Sequence, residues 1–253
     1  MLNCQIKRGS WIMINIILPV YNEEKRVRNG IIQTIKFMDK FYKGKYSITV
    51  INNGSTDGTK DIVDLIKKEK NQVKSINLEK KGVGLAFREG IKCNTEDIVG
   101  YMDIDLSTDI RHLKRVVELF EKDSQIQMVN GSRLNRRSKI TGRKWYRMCT
   151  SRGLTALLKI VFKMKATDAI CGFKFYRKEF IEHLVSITSS MDDGWFYIIE
   201  LLLLAEKEGA YIYELPVHWK DDSEHTHVNV FKQSIKYIRG IAELYCRLRR
   251  SND

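Results

Sequence analysis

The feature that most constrains this chain is the alternation of short apolar runs with amphipathic stretches between Met13 and Val129. Five runs read as buried strands: Met13 to Val20, Tyr46 to Ile51, Val73 to Leu78, Ile98 to Met102, and Met128 to Val129. Between them the apolar residues recur at helical spacing. Val27, Ile31, Ile35 and Met38 mark a helix from Glu23 to Phe41, and Ile62, Leu65 and Ile66 mark one opened by Asp57 or Thr59. Gly82 to Cys93 reads as a short helix, and Asp109 as the N-cap of a helix through Phe120. Strands that alternate with helices predict an α/β fold, a mainly parallel sheet flanked by helices. Ligands of such sheets bind at the carboxyl ends of strands, near a switch in strand order. Tyr21-Asn22-Glu23, Asn52-Asn53-Gly54-Ser55 and Asp103-x-Asp105 all follow strands and are expected on that edge.

With 253 residues, 43% of them hydrophobic, and two prolines, the chain is long enough for one sizeable core plus a small appendage. No repeat or low-complexity tract divides it. A formal net charge of +13 implies an anionic partner: nucleic acid, an acidic membrane surface or a phosphorylated substrate. Cys4, Cys93, Cys149, Cys171 and Cys246 form no C-x-x-C pair, which argues for a reducing compartment and against a cysteine zinc site. No run reaches the ~20 apolar residues of a membrane span, and no signal peptide is seen, so a soluble or peripheral cytoplasmic protein is expected. The basic charge is unevenly spread. From Ser124 to Thr167 there is no acidic residue but eleven Lys or Arg, interleaved with Trp145, Tyr146, Leu154, Leu157, Ile160 and Phe162. Val230 to Arg250 repeats the pattern with Phe231, Ile235, Ile238, Ile241, Tyr245 and Leu248. Both stretches read as amphipathic helices at a membrane surface.

Asp103-x-Asp105 carries the chemistry. Two carboxylates one residue apart after a strand can hold a hard divalent cation, Mg²⁺ or Mn²⁺, through oxygen ligands. Such an ion neutralises charge building on a departing diphosphate. Taken alone, the pattern is equally a turn and a helix cap. Lys81-Gly82-Val83-Gly84 is either a nucleotide-facing loop or a simple helix start, and Gly54 and Gly58 read as turn residues with positive φ. Glu200 lies in an apolar run, where a lone carboxylate is costly, so it requires a cationic or hydrogen-bonding partner. Asp221-Asp222-Ser223-Glu224-His225-Thr226-His227 is either a ligand-rich segment or a plain polar loop.

The ordered set Pro19-Val20-Tyr21-Asn22-Glu23-Glu24, Asn52 to Thr59, Asp103 to Ser107 and Gly131-Ser132-Arg133 resembles the family-2 glycosyltransferases, which have the GT-A fold. Asp168-Ala169-Ile170-Cys171-Gly172-Phe173-Lys174-Phe175, Trp195 to Leu202 and Pro216-Val217-His218-Trp219 resemble segments of polyprenyl- and dolichyl-phosphate sugar synthases, and Leu106-Ser107-Thr108-Asp109 is nearer their glucosyl branch. The resemblance implies that Pro19, Tyr21 and Glu23 contact base and ribose and that Asn53, where many relatives have Asp, meets the base edge. By the same resemblance, Ser55, Asp57, Lys81 and Gly82 belong to the nucleotide-sugar site, and Asp103 and Asp105 hold the metal. Arg133, with Asp168, Lys174 and His225, is implied to serve the acceptor phosphate. Arg136, Arg137, Arg143 and Arg147 read as lipid-headgroup contacts without rank.

These readings imply a catalytic domain over 1–227, with a basic, membrane-facing acceptor insert at 133–165, and a basic amphipathic helix at 228–253. They imply an inverting enzyme that moves a sugar from a nucleotide-diphosphate sugar, UDP- before GDP-linked, to a polyprenyl or dolichyl phosphate at the cytoplasmic face of a membrane. The expected partners are the two substrates, the anionic membrane and, as an open question, a membrane protein that recruits the chain. A phosphate monoester, with a second pKa of about 6, is already ionised and requires no strong base. A family-2 transferase acting on a hydroxyl acceptor is the rival, and it would need Asp168 or Glu200 as base. Nucleic-acid binding, suggested by charge alone, leaves the strand-end motifs unexplained, and both carboxylates of a competent site are present.

Overall fold

The computed structural model describes residues 12–188, 193–221 and 230–250. Seven strands form one sheet: β1 (Ile14–Val20), β2 (Tyr46–Asn53), β3 (Val73–Leu78), β4 (Ile98–Met102), β5 (Met128–Ser132), β7 (Phe173–Arg177) and β8 (Ile212–Pro216). Their order is β3-β2-β1-β4-β7-β5-β8. A second sheet pairs β6 (Lys139–Thr141) with β9 (His218–Lys220). The helices are α1 (Val27–Tyr42), α2 (Thr59–Glu69), α3 (Val83–Lys92), α4 (His112–Lys122), α5 (Trp145–Phe162), α6 (Lys178–Ile187), α7 (Phe196–Lys207) and α8 (Val230–Arg250).

β1 and β2 are buried almost throughout because helices cover both faces of the sheet. Successive residues of β1 point to opposite sides. Ile16 and Leu18 join α1, α2 and α4 through Ile31, Val63 and Leu113. Ile17 joins α3, α6, α7 and α8 through Phe87, Ile181, Leu201 and Ile241. Two cores therefore sandwich one sheet.

The chain winds outward from β1 to β2 to β3, all parallel, then returns to place β4 on the other side of β1. That reversal is the switch point, and the segments after β1 and β4 flank it. The sheet is not parallel throughout. β7 runs antiparallel between β4 and β5, while β8 is parallel to β5. The strands at β6 and β7 go beyond what alternation alone predicted. α4 opens at His112, later than expected; Asp109 accepts the Arg111 N–H at 2.9 Å and starts the turn before it. Gly54 has the expected positive φ of 68°, but Gly58 does not, with φ of −70°.

α8 closes the far side. Gly240 lets it lie against the Phe196 ring, where an added Cβ would come within 2.5 Å. Ile241 and Leu244 are buried beneath it. Glu200, 1% exposed, finds its cationic partner there: the Arg247 guanidinium donates to Glu200 Oε1. Among the described residues no helix is long and apolar enough to cross a membrane.

Candidate active site

One cavity of about 590 Å³ opens over the carboxyl ends of β1, β2 and β4 and continues between α5 and α8. Its two ends differ in chemistry.

The first end is built from the strand-end loops. Asn22, in the left-handed region at φ 53°, ties the loop after β1 to the loop after β2. Its N–H donates to Ser55 Oγ at 3.0 Å, and its Oδ1 accepts the Thr56 N–H at 2.8 Å. Asp57 accepts from the Glu24 N–H, the Thr59 N–H and the Thr59 hydroxyl. Ser55 and Asp57 thus brace the two loops to each other, and neither lines the cavity. Pro19, Tyr21, Glu23, Asn53 and Lys81 do line it. Lys81 Nζ sits 3.5 Å from the Tyr21 ring centroid, a cation–π contact. Burial, with Lys236 nearby, holds its ammonium below the usual value. Asn53 is 4% exposed, and its Oδ1 has no hydrogen-bond partner among the described residues. An unpaired buried acceptor costs about 1–3 kcal/mol, which a ligand N–H would offset. Glu23 is held in a two-point fork by Arg26, at 2.7 and 2.8 Å.

Gly82 has a different task from the one its resemblance implied. It lies under the chain at Asp193, whose carbonyl would be 2.4 Å from an added Cβ. The same carbonyl accepts the N–H groups of Gly84 and Leu85. The α3 N-terminus is therefore capped by the protein, and Gly82 is absent from the cavity lining.

Asp103 and Asp105 both reach the cavity at the switch point. Their turn is tight. Leu106 takes a left-handed φ of 55°, unusual for a bulky side chain. Asp105 Oδ1 accepts the Ser107 N–H at 2.9 Å. Asp103 is packed against Gly172, where an added Cβ would fall 2.1 Å from its Oδ2. This is the physical reason for glycine in the C-G-F-K segment, and the sequence alone did not reveal it. Burial, then the charge of Asp105, pushes the Asp103 carboxyl up to about 8. A buried carboxylate whose proton affinity is raised beside a second carboxylate fits a small divalent cation, and Mg²⁺ is commonly bound by one or two carboxylates plus substrate phosphates. Among the described residues no group of three or more His, Cys, Asp or Glu could hold a metal. The remaining ligands would come from substrate, water or residues outside those described. His225 and His227 lie outside them.

The other end is basic. Arg133 follows β5 and is 9% exposed. Asp168, fully buried, accepts Arg133 Nε at 2.8 Å, Nη2 at 3.0 Å and its backbone N–H at 3.0 Å. Burial would raise the Asp168 carboxyl, but the guanidinium beside it holds it below the usual range. Asp168 is not in the lining; it orients Arg133, which is. Lys174 is placed behind this pair. It is fully buried and donates to Asn130 Oδ1, while Asn130 donates to the Asp168 carbonyl at 3.1 Å. Its expected contact with an acceptor is therefore replaced by a supporting position, because β7 is sealed between β4 and β5.

Sequence reasoning left Arg143 and Arg147 unranked and did not single out Arg26, Ser151 or Trp219 for the site. Arg143 Nη2 donates to Ser151 Oγ and to the Arg147 carbonyl at 3.2 Å. Its Nη1 is buried with no partner among the described residues. Burial, then Arg133, pushes its guanidinium down to about 10. Arg147 pairs with Asp221 at 3.2 Å. The i, i+4 spacing of Arg147 and Ser151 was the available signal, since it puts them along one line of α5, with Arg143 just before its start. Beyond them Leu154, Leu157, Tyr237 and Ile238 carry the cavity out between α5 and α8.

A sheet edge with paired carboxylates at its switch point is the architecture of a nucleotide-sugar transferase. The chain belongs to glycosyl transferase family 2, whose model matches residues 15–185. It is 27% identical over 211 residues to the glycosyltransferase AglD of Haloferax volcanii, covering 83% of this chain and 33% of AglD. The chain thus spans about a third of that relative. It is 26% identical over 247 residues to the dolichyl-phosphate beta-glucosyltransferase of Dictyostelium discoideum, covering 93% of this chain and 75% of that one. The dolichyl-phosphate beta-glucosyltransferase of Saccharomyces cerevisiae is 25% identical over 236 residues, covering 83% and 67%. The fold matches glucosyl-3-phosphoglycerate synthase from Mycobacterium tuberculosis in complex with UDP, with a TM-score of 0.69 at 18% identity, covering 92% of this chain and 80% of that one. The same synthase in complex with Mn²⁺ and UDP-glucose matches at 0.66, also at 18% identity, covering 93% and 79%. These likenesses show the GT-A fold.

Proposed function

We propose that this protein transfers a sugar from a nucleotide-diphosphate sugar, with UDP-glucose the favoured donor, to a polyprenyl or dolichyl phosphate at a membrane surface. The observation that carries the reading is a single cavity with a carboxylate pair at one end and three arginines at the other. The names of the Dictyostelium and yeast relatives and the UDP complexes of the structural neighbours support it.

Pro19, Tyr21, Asn53 and Lys81 hold the nucleoside, and Glu23 receives the ribose. Asp103 and Asp105 hold Mg²⁺ or Mn²⁺, which when bound neutralises charge on the leaving diphosphate. Arg133 and Arg143 grip the acceptor phosphate and aim one of its oxygens at the anomeric carbon. The carbon–oxygen bond to the diphosphate breaks as the new bond forms on the opposite face, inverting the centre. Alignment supplies much of the acceleration. The hydroxyl-acceptor rival needs a free carboxylate base, yet Asp168 is engaged by Arg133 and Glu200 by Arg247.

The exposed face of α5 and α8 fits a lipid surface. Trp145 and Ile160 are 77% and 79% exposed, and Ile235 and Ile238 also face outward. Lys144, Arg152, Lys159, Lys236 and Arg239 are exposed around them, the basic ring an anionic leaflet attracts. In this reading 133–165 and 228–253 are the membrane-facing parts of a chain at the cytoplasmic face. The test is a screen of radiolabelled UDP- and GDP-sugars against a short polyprenyl phosphate, with and without Mn²⁺. An acid-labile sugar phosphate formed only with metal is expected. Transfer to hydroxyl acceptors alone overturns the phosphate acceptor.

A further inference from the structure

The segment Pro216-Val217-His218-Trp219 takes no part in the transfer just described, yet its backbone is fixed from two sides. β9 pairs with β6, matching Trp219 to Ile140. On its other side it bridges Thr108, just after the carboxylate turn. The Lys220 N–H donates to the Ser107 carbonyl at 2.8 Å, and the Asp109 N–H donates to the His218 carbonyl at 2.9 Å. The indole held by this strand lines the cavity. Arg133 Cζ lies 5.8 Å from its ring centroid and Arg143 Cζ 5.5 Å.

Two guanidiniums of like charge repel, and among the described residues only Arg133 of the two has a carboxylate fork. Among the same residues Arg143 is held by a hydroxyl and a carbonyl, with a buried donor left over. An aromatic face offers both cations a negative quadrupole without consuming their N–H groups. A carboxylate in its place would neutralise the charge and occupy those donors.

We propose that Trp219 is a positioning residue: its indole holds Arg143 beside Arg133 with their free N–H groups available to an anionic acceptor. Because β9 is bonded to the turn after Asp105, Trp219 also sets the height of that arginine pair above the carboxylates. The inference rests on the reading of Arg133 and Arg143 as the acceptor-phosphate site.

Calorimetric titration of the full chain with farnesyl phosphate, and separately with UDP and Mn²⁺, tests it. W219L should weaken farnesyl phosphate about tenfold and leave UDP binding unchanged, while W219F, which keeps a ring face, should lose only about two- to threefold. Should W219L not fold, W219F carries the test through the same selective loss. Unchanged farnesyl phosphate binding in either variant, or an equal loss for UDP, overturns the role. R143Q separates the two ideas. If it binds farnesyl phosphate as wild type does, the acceptor-site reading falls and takes this inference with it. If it binds weakly while W219L binds normally, the role of Trp219 alone falls.

Discussion

The two ends of the cavity are built by different rules. At the carboxylate end, each group comes from the last residues of a parallel strand or the loop that directly follows it, and those loops brace one another through Asn22, Ser55, Asp57 and Thr59. At the basic end, the ion pairs reach far along the sequence: Arg133 is held by Asp168, Arg147 by Asp221, and the helix that walls the site by Glu200 with Arg247, while Arg143 leans on the nearby Arg147 and Ser151. The first end separates the groups that would act from the groups that support them. The second uses charged side chains for both, so chemistry and stability are entangled there.

The largest expected effect tests that entanglement. D168N removes the partner of a guanidinium that is 9% exposed. Breaking a buried ion pair on one side costs about 3–5 kcal/mol. Urea denaturation should show a loss of that order, together with weaker acceptor binding. A variant as stable as wild type would mean that Arg133 is solvated, and the contrast between the two ends would fail.

D105N should do the opposite. Loss of one preorganised electrostatic group lowers turnover by about 10²–10³-fold. Among the described residues the side chain accepts one hydrogen bond, from the Ser107 N–H, which an Asn oxygen can also accept. Turnover should therefore collapse while the denaturation midpoint stays near that of wild type. Normal turnover by this variant would defeat the metal assignment.

E200Q comes third. The amide keeps an acceptor for Arg247 but not the charge, and a hydrogen bond to a charged group contributes about 1.5–3 kcal/mol. Arg247 is partly exposed, so the lower part of that range applies. The expected readout is earlier proteolysis of the chain at α8 and a raised KM for the acceptor, with the donor KM unchanged. Equal changes in both would place α8 in the donor end instead.

The same contrast explains what could be read from the sequence. The strand-end motifs at Tyr21, Asn53 and Asp103 were legible because strand and loop are contiguous and the parallel alternation fixes which edge they share. β7 was not, because Phe173 to Arg177 contains Lys174, and a lysine in a strand suggests an exposed face. Its burial depends on Asn130 and Asp168, which only the fold brings to it. The sequence required a partner for Glu200 without naming Arg247, since the two are 47 residues apart. Gly82 and Gly172 show the limit of motif reading. Each glycine is needed for close approach, but to Asp193 and Asp103 of the same chain.

The smallest effect concerns the seam between the two ends. His112 Nε2 accepts the His218 N–H at 2.8 Å, so the imidazole must keep that lone pair and remain neutral. Burial lowers its proton affinity below the usual 6.5; Asp109 opposes this, and His218 and Arg111 reinforce it. The folded protein therefore binds the proton less readily than the unfolded chain. Stability from this contact is complete above the unfolded value and is lost as pH falls through the lowered, folded one. A hydrogen bond of this kind contributes about 0.5–1.5 kcal/mol. Denaturation at pH 7.5 and pH 5 should show a loss for wild type that is smaller in H112Q, whose amide oxygen can accept the same N–H without titrating. Because β9 carries Trp219, the acceptor KM of wild type should also rise at the lower pH more than that of H112Q. An identical pH response in the two proteins would mean that the seam is held by the backbone bonds of β9 alone.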